Sequence, residues 1–181
     1  MELRFSPLFS GSSGNATYVG CDDAHILVDA GLSGTRVSQE LMRVGVNPVM
    51  LSAILVTHEH SDHIKGIGIL SRKYDLPVFA TEGTWREMYG KIGAISPRNM
   101  RIFEPGQDFY IGSIDVTPFS TPHDAGQPVG YTLENLRREA GHRHGSGQRA
   151  GQLVQVRQGR RRGDPRIQLR PRHAADRALS L

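Results

Sequence analysis

The sequence predicts an α/β fold in which short buried strands alternate with helices. Three observations predict it. Apolar, β-branched runs such as Ile26-Leu27-Val28 and Ala53-Ile54-Leu55-Val56 have the length and composition of buried strands. The stretches between such runs repeat apolar residues at helical spacing. Directly after one strand comes Thr57-His58-Glu59-His60-Ser61-Asp62-His63, with three histidines and one aspartate within six residues. A strand that stops at Val56 sets that cluster on the loop at its C-terminal end.

Taken in order, strands are expected over 3–9, 15–20, 24–29, 51–57, 77–80, 109–120 and 129–133. Ser10-Gly11-Ser12-Ser13-Gly14-Asn15 is a Gly/Ser-rich turn between the first two. A first helix is expected over 34–45. Ser33 is its N-cap, Val37, Leu41 and Val44 fall on one face, and Gly45 ends it. A second is expected over 62–74, with Ile64, Ile67, Leu70 and Tyr74 on or near one face. A third is expected over 81–91, where Trp85, Met88 and Ile92 recur at helical spacing. These stripes are core faces, and His25, inside a strand, is read as structural. There is no internal repeat.

Imidazole nitrogens and carboxylates are the ligand set of zinc and related divalent ions. His58 and His60, two residues apart on an extended loop, can converge on one ion. Asp62 and His63, at the turn into a helix, can face a second. Two ions clamp the attacking and leaving oxygens of a displacement and bring the pKa of a bound water toward neutrality.

The pattern resembles the metallo-β-lactamase superfamily, and other residues agree. Ile26-Leu27-Val28-Asp29-Ala30-Gly31 resembles that family's first motif, a strand ending in an aspartate. The resemblance implies that Asp29 supports the metal loop by hydrogen bonds and is not a ligand. Ser120-Thr121-Pro122-His123-Asp124 resembles the third motif, a strand end that delivers one more histidine. His58, His60 and His123 would then hold the first ion, and Asp62 and His63 the second. The Ser/Gly loop, together with the histidine cluster, resembles the WalJ/YycJ-like branch, described as DNA-directed exonucleases. The resemblance covers about residues 1–134. It implies an αββα sandwich, of which this chain carries the N-terminal half to two-thirds, and zinc, manganese or another divalent ion as cofactor. It implies DNA as substrate, with Asp62 holding and orienting the attacking water. Hydrolysis of small esters, thioesters or lactones is the alternative on the same scaffold.

Near residue 135 the composition changes. Residues 1–134 hold 10 basic and 15 acidic residues, a net charge of −5; residues 135–181 hold 12 and 3, a net of +9. The tail has 12 of the 19 arginines, no lysine and no aromatic residue. An Arg-rich nucleic-acid arm or a solvated disordered tail would have such a composition. So does GC-rich coding DNA read in the wrong frame, and this third reading explains more. Reading each codon one base later lets His142–Gly147 encode isoleucine-alanine-threonine-aspartate-leucine-glycine, which resembles the family's fourth, metal-bridging motif. Gly163–His173 permits valine-isoleucine-leucine-glutamate-serine-asparagine-tyrosine-aspartate-proline-aspartate-methionine, similar to the strand and loop that come next in the branch. The expectation is a partial domain over 1–134 and a disordered, frameshifted tail over 135–181. The fourth-motif aspartate and a later histidine would be missing, so at most one ion is well held. A catalytically inactive fragment is the corresponding alternative function.

Cys21 is the only cysteine, so an internal disulfide is excluded, which fits a reducing cytoplasm. No signal peptide is expected, because Met1 to Ser10 lacks a sustained apolar run. No stretch approaches the ~20 apolar residues of a membrane span.

Overall fold

The computed structural model describes residues 3–135, 152–156 and 168–171. Two sheets form the frame. The first contains β1 (Arg4–Phe9), β2 (Ala16–Gly20), β3 (His25–Val28), β4 (Ala53–Leu55), β5 (Val78–Ala80) and β6 (Met100–Ile102), in that order across the sheet. β1 to β3 are antiparallel, and β3 to β6 are parallel. The second runs β11-β10-β9-β8-β7, from β7 (Phe109–Ile111), β8 (Ile114–Ser120), β9 (Val129–Asn135), β10 (Gln152–Val156) and β11 (Gln168–Pro171).

Alternation along the strands builds two cores. Leu27, Ile54 and Val56 face the helices α1 (Gly34–Arg43), α3 (Ile67–Tyr74) and α4 (Glu82–Met88), where Val37, Leu41, Ile67, Leu70, Trp85 and Met88 meet them. Ile26, Val28 and Leu55 point the other way, onto Val116, Tyr131 and Leu133 of the second sheet. Fully burying each Leu, Ile or Val contributes about 1.5–3 kcal/mol, so the first sheet is held from both faces. The layers are helix, sheet, sheet. Among the described residues no helix covers the outer face of the second sheet.

Ser33 caps α1 through its hydroxyl, and Gly45 follows the helix at φ 79°. Other expectations need correction. The helix expected over 62–74 is two helices, α2 (Ser61–Ile64) and α3, broken at Lys65-Gly66. Gly66 there donates to the Ala30 carbonyl at 2.7 Å, and a Cβ at Gly66 would lie 2.4 Å from the Leu32 oxygen. Close packing on the segment that follows β3 thus overrides helical propensity. The strand expected over 109–120 is a hairpin, because Gly112 at φ 57° reverses the chain between Ile111 and Ile114. The third helix is shorter, ending at Met88, and β4 is shorter than 51–57. β6 was not anticipated: it is three residues long and mostly exposed, with no alternation to read.

Of the Arg-rich tail the structure describes the backbone of β10 and β11, paired antiparallel to β9 and to each other. Residues 136–151, 157–167 and 172–181, and with them most of the expected disordered tail, lie outside the described residues. No helix of the described residues is long and apolar enough to cross a membrane.

Candidate metal centre

The site lies where β3, β4 and β8 end. Asp29 follows β3 at φ 60°, a left-handed conformation that Asp and Asn tolerate better than most residues. Its N–H donates to Leu55 O at 2.8 Å. Three donors fall on its buried carboxylate: Thr57 N–H at 2.8 Å, Thr57 Oγ1 at 2.7 Å and His63 Nδ1 at 2.8 Å. Asp29 therefore stitches the end of β3 to the histidine loop.

Those bonds fix tautomers. The Thr57 hydroxyl spends its one proton on Asp29, so its 3.0 Å contact with His58 Nδ1 has His58 as donor. That leaves the lone pair of His58 on Nε2, as a ligand requires. His63 Nδ1 likewise faces Asp29, which directs Nε2 toward Asp62, 3.7 Å away.

Close backbone packing holds the loop in place. Asn15 N–H donates to Asp62 O at 2.8 Å, Gly31 N–H to Asn15 O at 2.8 Å, and Ala30 N–H to His63 O at 2.7 Å. Gly31 has to be glycine, since a Cβ there would sit 1.7 Å from Asp62 O. From the second sheet, Val129 N–H reaches Thr57 O at 2.9 Å and the Tyr131 hydroxyl donates to Val56 O at 2.6 Å.

His123 arrives on the loop after β8. Glu59 Oε1 holds that loop by accepting from Gly126 N–H at 2.7 Å. Gln127 pins it to the start of α4, its carbonyl accepting from Thr81 Oγ1 and its side chain from Gly83 N–H.

The five residues named from the sequence as metal-ligand candidates lie together. One ring nitrogen from each of His58, His60 and His123 lies within 4.8 Å of the others. A tetrahedral zinc needs about 3.4 Å between donors, a gap that ring rotation can close. His123 is exposed and its Nδ1 accepts from Asp124 N–H at 2.8 Å, so its ring is the one with room to turn. The His63 ring is 4.1 Å from that of His58. Burial, and then the neighbouring His63, His60 and His123, push the pKa of His58 down to about 2. Burial and the imidazoles of His60 and His63 also lower His123, against Asp124 and Glu59. Burial alone would lower His63, but the Asp29 carboxylate and then Asp62 raise it overall. Neutral His58 and His123 are in the form that a divalent cation takes, so the donor set fits one.

His25 is structural: it stacks on Tyr18 and its Nδ1 meets the Tyr18 hydroxyl at 2.6 Å. Sequence reasoning missed the parts played by Thr57, Glu59, Tyr131 and the Asn15 amide. Asn15 stood in a recognised loop, but its reach across 47 residues to Asp62 has no local signal.

Comparison with known proteins agrees with this geometry. The family model of the metallo-beta-lactamase superfamily matches residues 10–159. The exodeoxyribonuclease YycJ of Bacillus anthracis is 49% identical over 139 residues, covering 77% of this chain and 53% of that protein. The exodeoxyribonuclease WalJ of Streptococcus pneumoniae is 43% identical over 131 residues, 71% of this chain and 49% of that protein. The chain thus spans about half the length of the curated relatives it matches. A solved B3 metallo-beta-lactamase with an active-site glutamic acid superposes at TM-score 0.63 and 18% identity, over 81% of this chain and 56% of that one. That likeness concerns the fold.

Proposed function

The chain belongs to the metallo-beta-lactamase superfamily, and we propose that its site serves the metal-dependent hydrolysis of DNA phosphodiesters. The superfamily binds divalent metals, typically zinc. The observation that carries the reading is the convergence of His58, His60 and His123, with Asp62 and His63 beside them. The names of the two relatives at 49% and 43% identity favour DNA over other hydrolase substrates.

In this reading His58, His60 and His123 hold one ion, and Asp62 and His63 offer donors to a second. The bound metal would activate water and offset the charge gathering on the phosphate. Asp29 acts through Thr57 on His58 and directly on His63, fixing which ring nitrogen these two imidazoles present. Asp62, whose carboxylate is 3.7 Å from His63 Nε2, would hold and orient the attacking water. Glu59 keeps the His123 loop against the other two imidazoles.

A second reading, a one-ion binder without catalysis, has its own support. Among the described residues the only group of three metal-capable donors is His58, His60 and His123. The segment 142–147, where a frameshift would have replaced the metal-bridging aspartate, lies outside the described residues.

The deciding experiment incubates the 181-residue chain, loaded with zinc or manganese, with end-labelled DNA, a thioester and a lactone. Metal-dependent nucleotide release from DNA alone, abolished in His58→Ala, is the result expected of the exonuclease. A chain that binds metal but turns over none of the three is the second reading. Turnover of the thioester or lactone alone contradicts the DNA assignment.

A further inference from the structure

The Asn15 side chain reaches into the part of the site proposed for the second ion. Its Nδ2 lies 3.1 Å from Asp62 Oδ2 and 3.1 Å from His63 Nε2. These are the two atoms through which Asp62 and His63 would share an ion, and they are 3.7 Å apart. With the Nδ1 proton of His63 directed at Asp29, its Nε2 carries the single in-plane lone pair of a neutral imidazole. An amide N–H or a metal can use that lone pair, but not both.

We infer that the Asn15 amide competes with the second ion: one of its two N–H groups points to Gly11 O, and the other, shared between His63 Nε2 and Asp62 Oδ2, occupies both until the ion displaces it. The inference rests on the two-position metal centre proposed above. It also couples the ion to the Ser/Gly loop. The same amide holds that loop closed, because Nδ2 donates to Gly11 O at 3.1 Å and Oδ1 accepts from Gly11 N–H at 3.3 Å. Displacing the side chain breaks both bonds. The backbone bonds of Asn15 to Asp62 and Gly31 do not involve the side chain and persist. Binding of the second ion therefore loosens the 11–14 turn, which lies next to the site and keeps its Gly14 N–H to Gly11 O bond at 3.1 Å, while residue 15 stays anchored.

The sign of one substitution separates a competitor from a supporting residue. Asn15→Ala removes the amide that stabilises the unfilled position, and a hydrogen bond to a charged group is worth about a factor of ten or more. Zinc titration of the full 181-residue chain against a chromophoric chelator should show the second equivalent about tenfold tighter in Asn15→Ala and the first unchanged. Asn15→Asp, which puts a carboxylate where the amide stood, should be tighter still.

A test without a variant is hydrogen exchange of the wild-type chain. The Gly11 amide should exchange faster once the second equivalent is added. A second equivalent no tighter in Asn15→Ala, or Gly11 exchange unaltered by it, overturns the inference and leaves the first-ion site standing. Absence of even a first bound equivalent overturns the metal centre and this inference together.

Discussion

Asp29→Asn removes one charge and changes almost nothing else in shape. Asn tolerates the φ of 60° at this position as Asp does, so backbone strain does not confound the result. In the wild type one buried carboxylate accepts three bonds, at 2.8, 2.7 and 2.8 Å. The amide offers one oxygen. If that oxygen keeps the Thr57 N–H, the NH2 group faces Thr57 Oγ1 and His63 Nδ1, both of which were donors. Two hydrogen bonds to a charged acceptor are lost, at about 1.5–3 kcal/mol each. Rotation of the Thr57 hydroxyl and a tautomer switch in His63 recover part of this. The net expectation is a loss of about 3 kcal/mol, a large share of the ~5–15 kcal/mol stability of a domain. The switch also puts the His63 proton on Nε2 and closes that nitrogen to metal. Urea denaturation of metal-free chains measures the first effect, and zinc titration the second. A loss below about 1 kcal/mol with unaltered zinc stoichiometry would refute Asp29 as the organiser of this loop.

Three further outcomes follow. Glu59→Ala releases the Gly126 bond that holds the His123 loop and should weaken the first zinc about tenfold, while Glu59→Gln keeps the acceptor and stays near wild type in the same titration. For pH, His58 is depressed to about 2, so the unfolded chain takes up its proton below the ordinary value of 6.5 and the folded chain does not. Its contribution is present above 6.5 and is lost as pH falls, about 2 kcal/mol by pH 5; the raised His63 acts oppositely, its contribution fading as pH rises through its folded value. Because the His58 displacement is the larger, metal-free chains should lose denaturant resistance between pH 6.5 and 5, and a flat profile contradicts this. Sequencing the gene across codons 130–181 should reveal a one-base slip near 135–140, with isoleucine-alanine-threonine-aspartate-leucine-glycine restored at 142–147; codons that do not permit that reading exclude the frameshift.

The parts of the molecule that could be read from sequence are those governed by local chemistry. Buried strands such as Ile26–Val28 and Ala53–Leu55 show as apolar runs, α1 shows in its Ser33 cap and Gly45 stop, and the five site residues cluster or end strands. What stayed hidden depends on contacts between distant segments. The break before α3 exists because Gly66 packs on Ala30 and Leu32. The β7–β8 hairpin hid in a continuous apolar pattern, and β6 is too short and exposed to leave one. Thr57, Glu59 and Asn15 owe their roles to Asp29, Gly126 and Asp62, partners 28, 67 and 47 residues away. No spacing rule reaches that far. The αββα expectation anticipated the helix–sheet–sheet order.

In the proposed centre three imidazoles from two distant loops, those of His58, His60 and His123, hold one divalent ion. Zinc titration of the purified chain beside His123→Ala and His25→Ala tests it most directly. One tight equivalent is expected in the wild type and in His25→Ala, weakened at least tenfold in His123→Ala. A wild-type chain that binds no zinc, or a His123→Ala chain that binds it as tightly, would contradict a three-histidine metal centre.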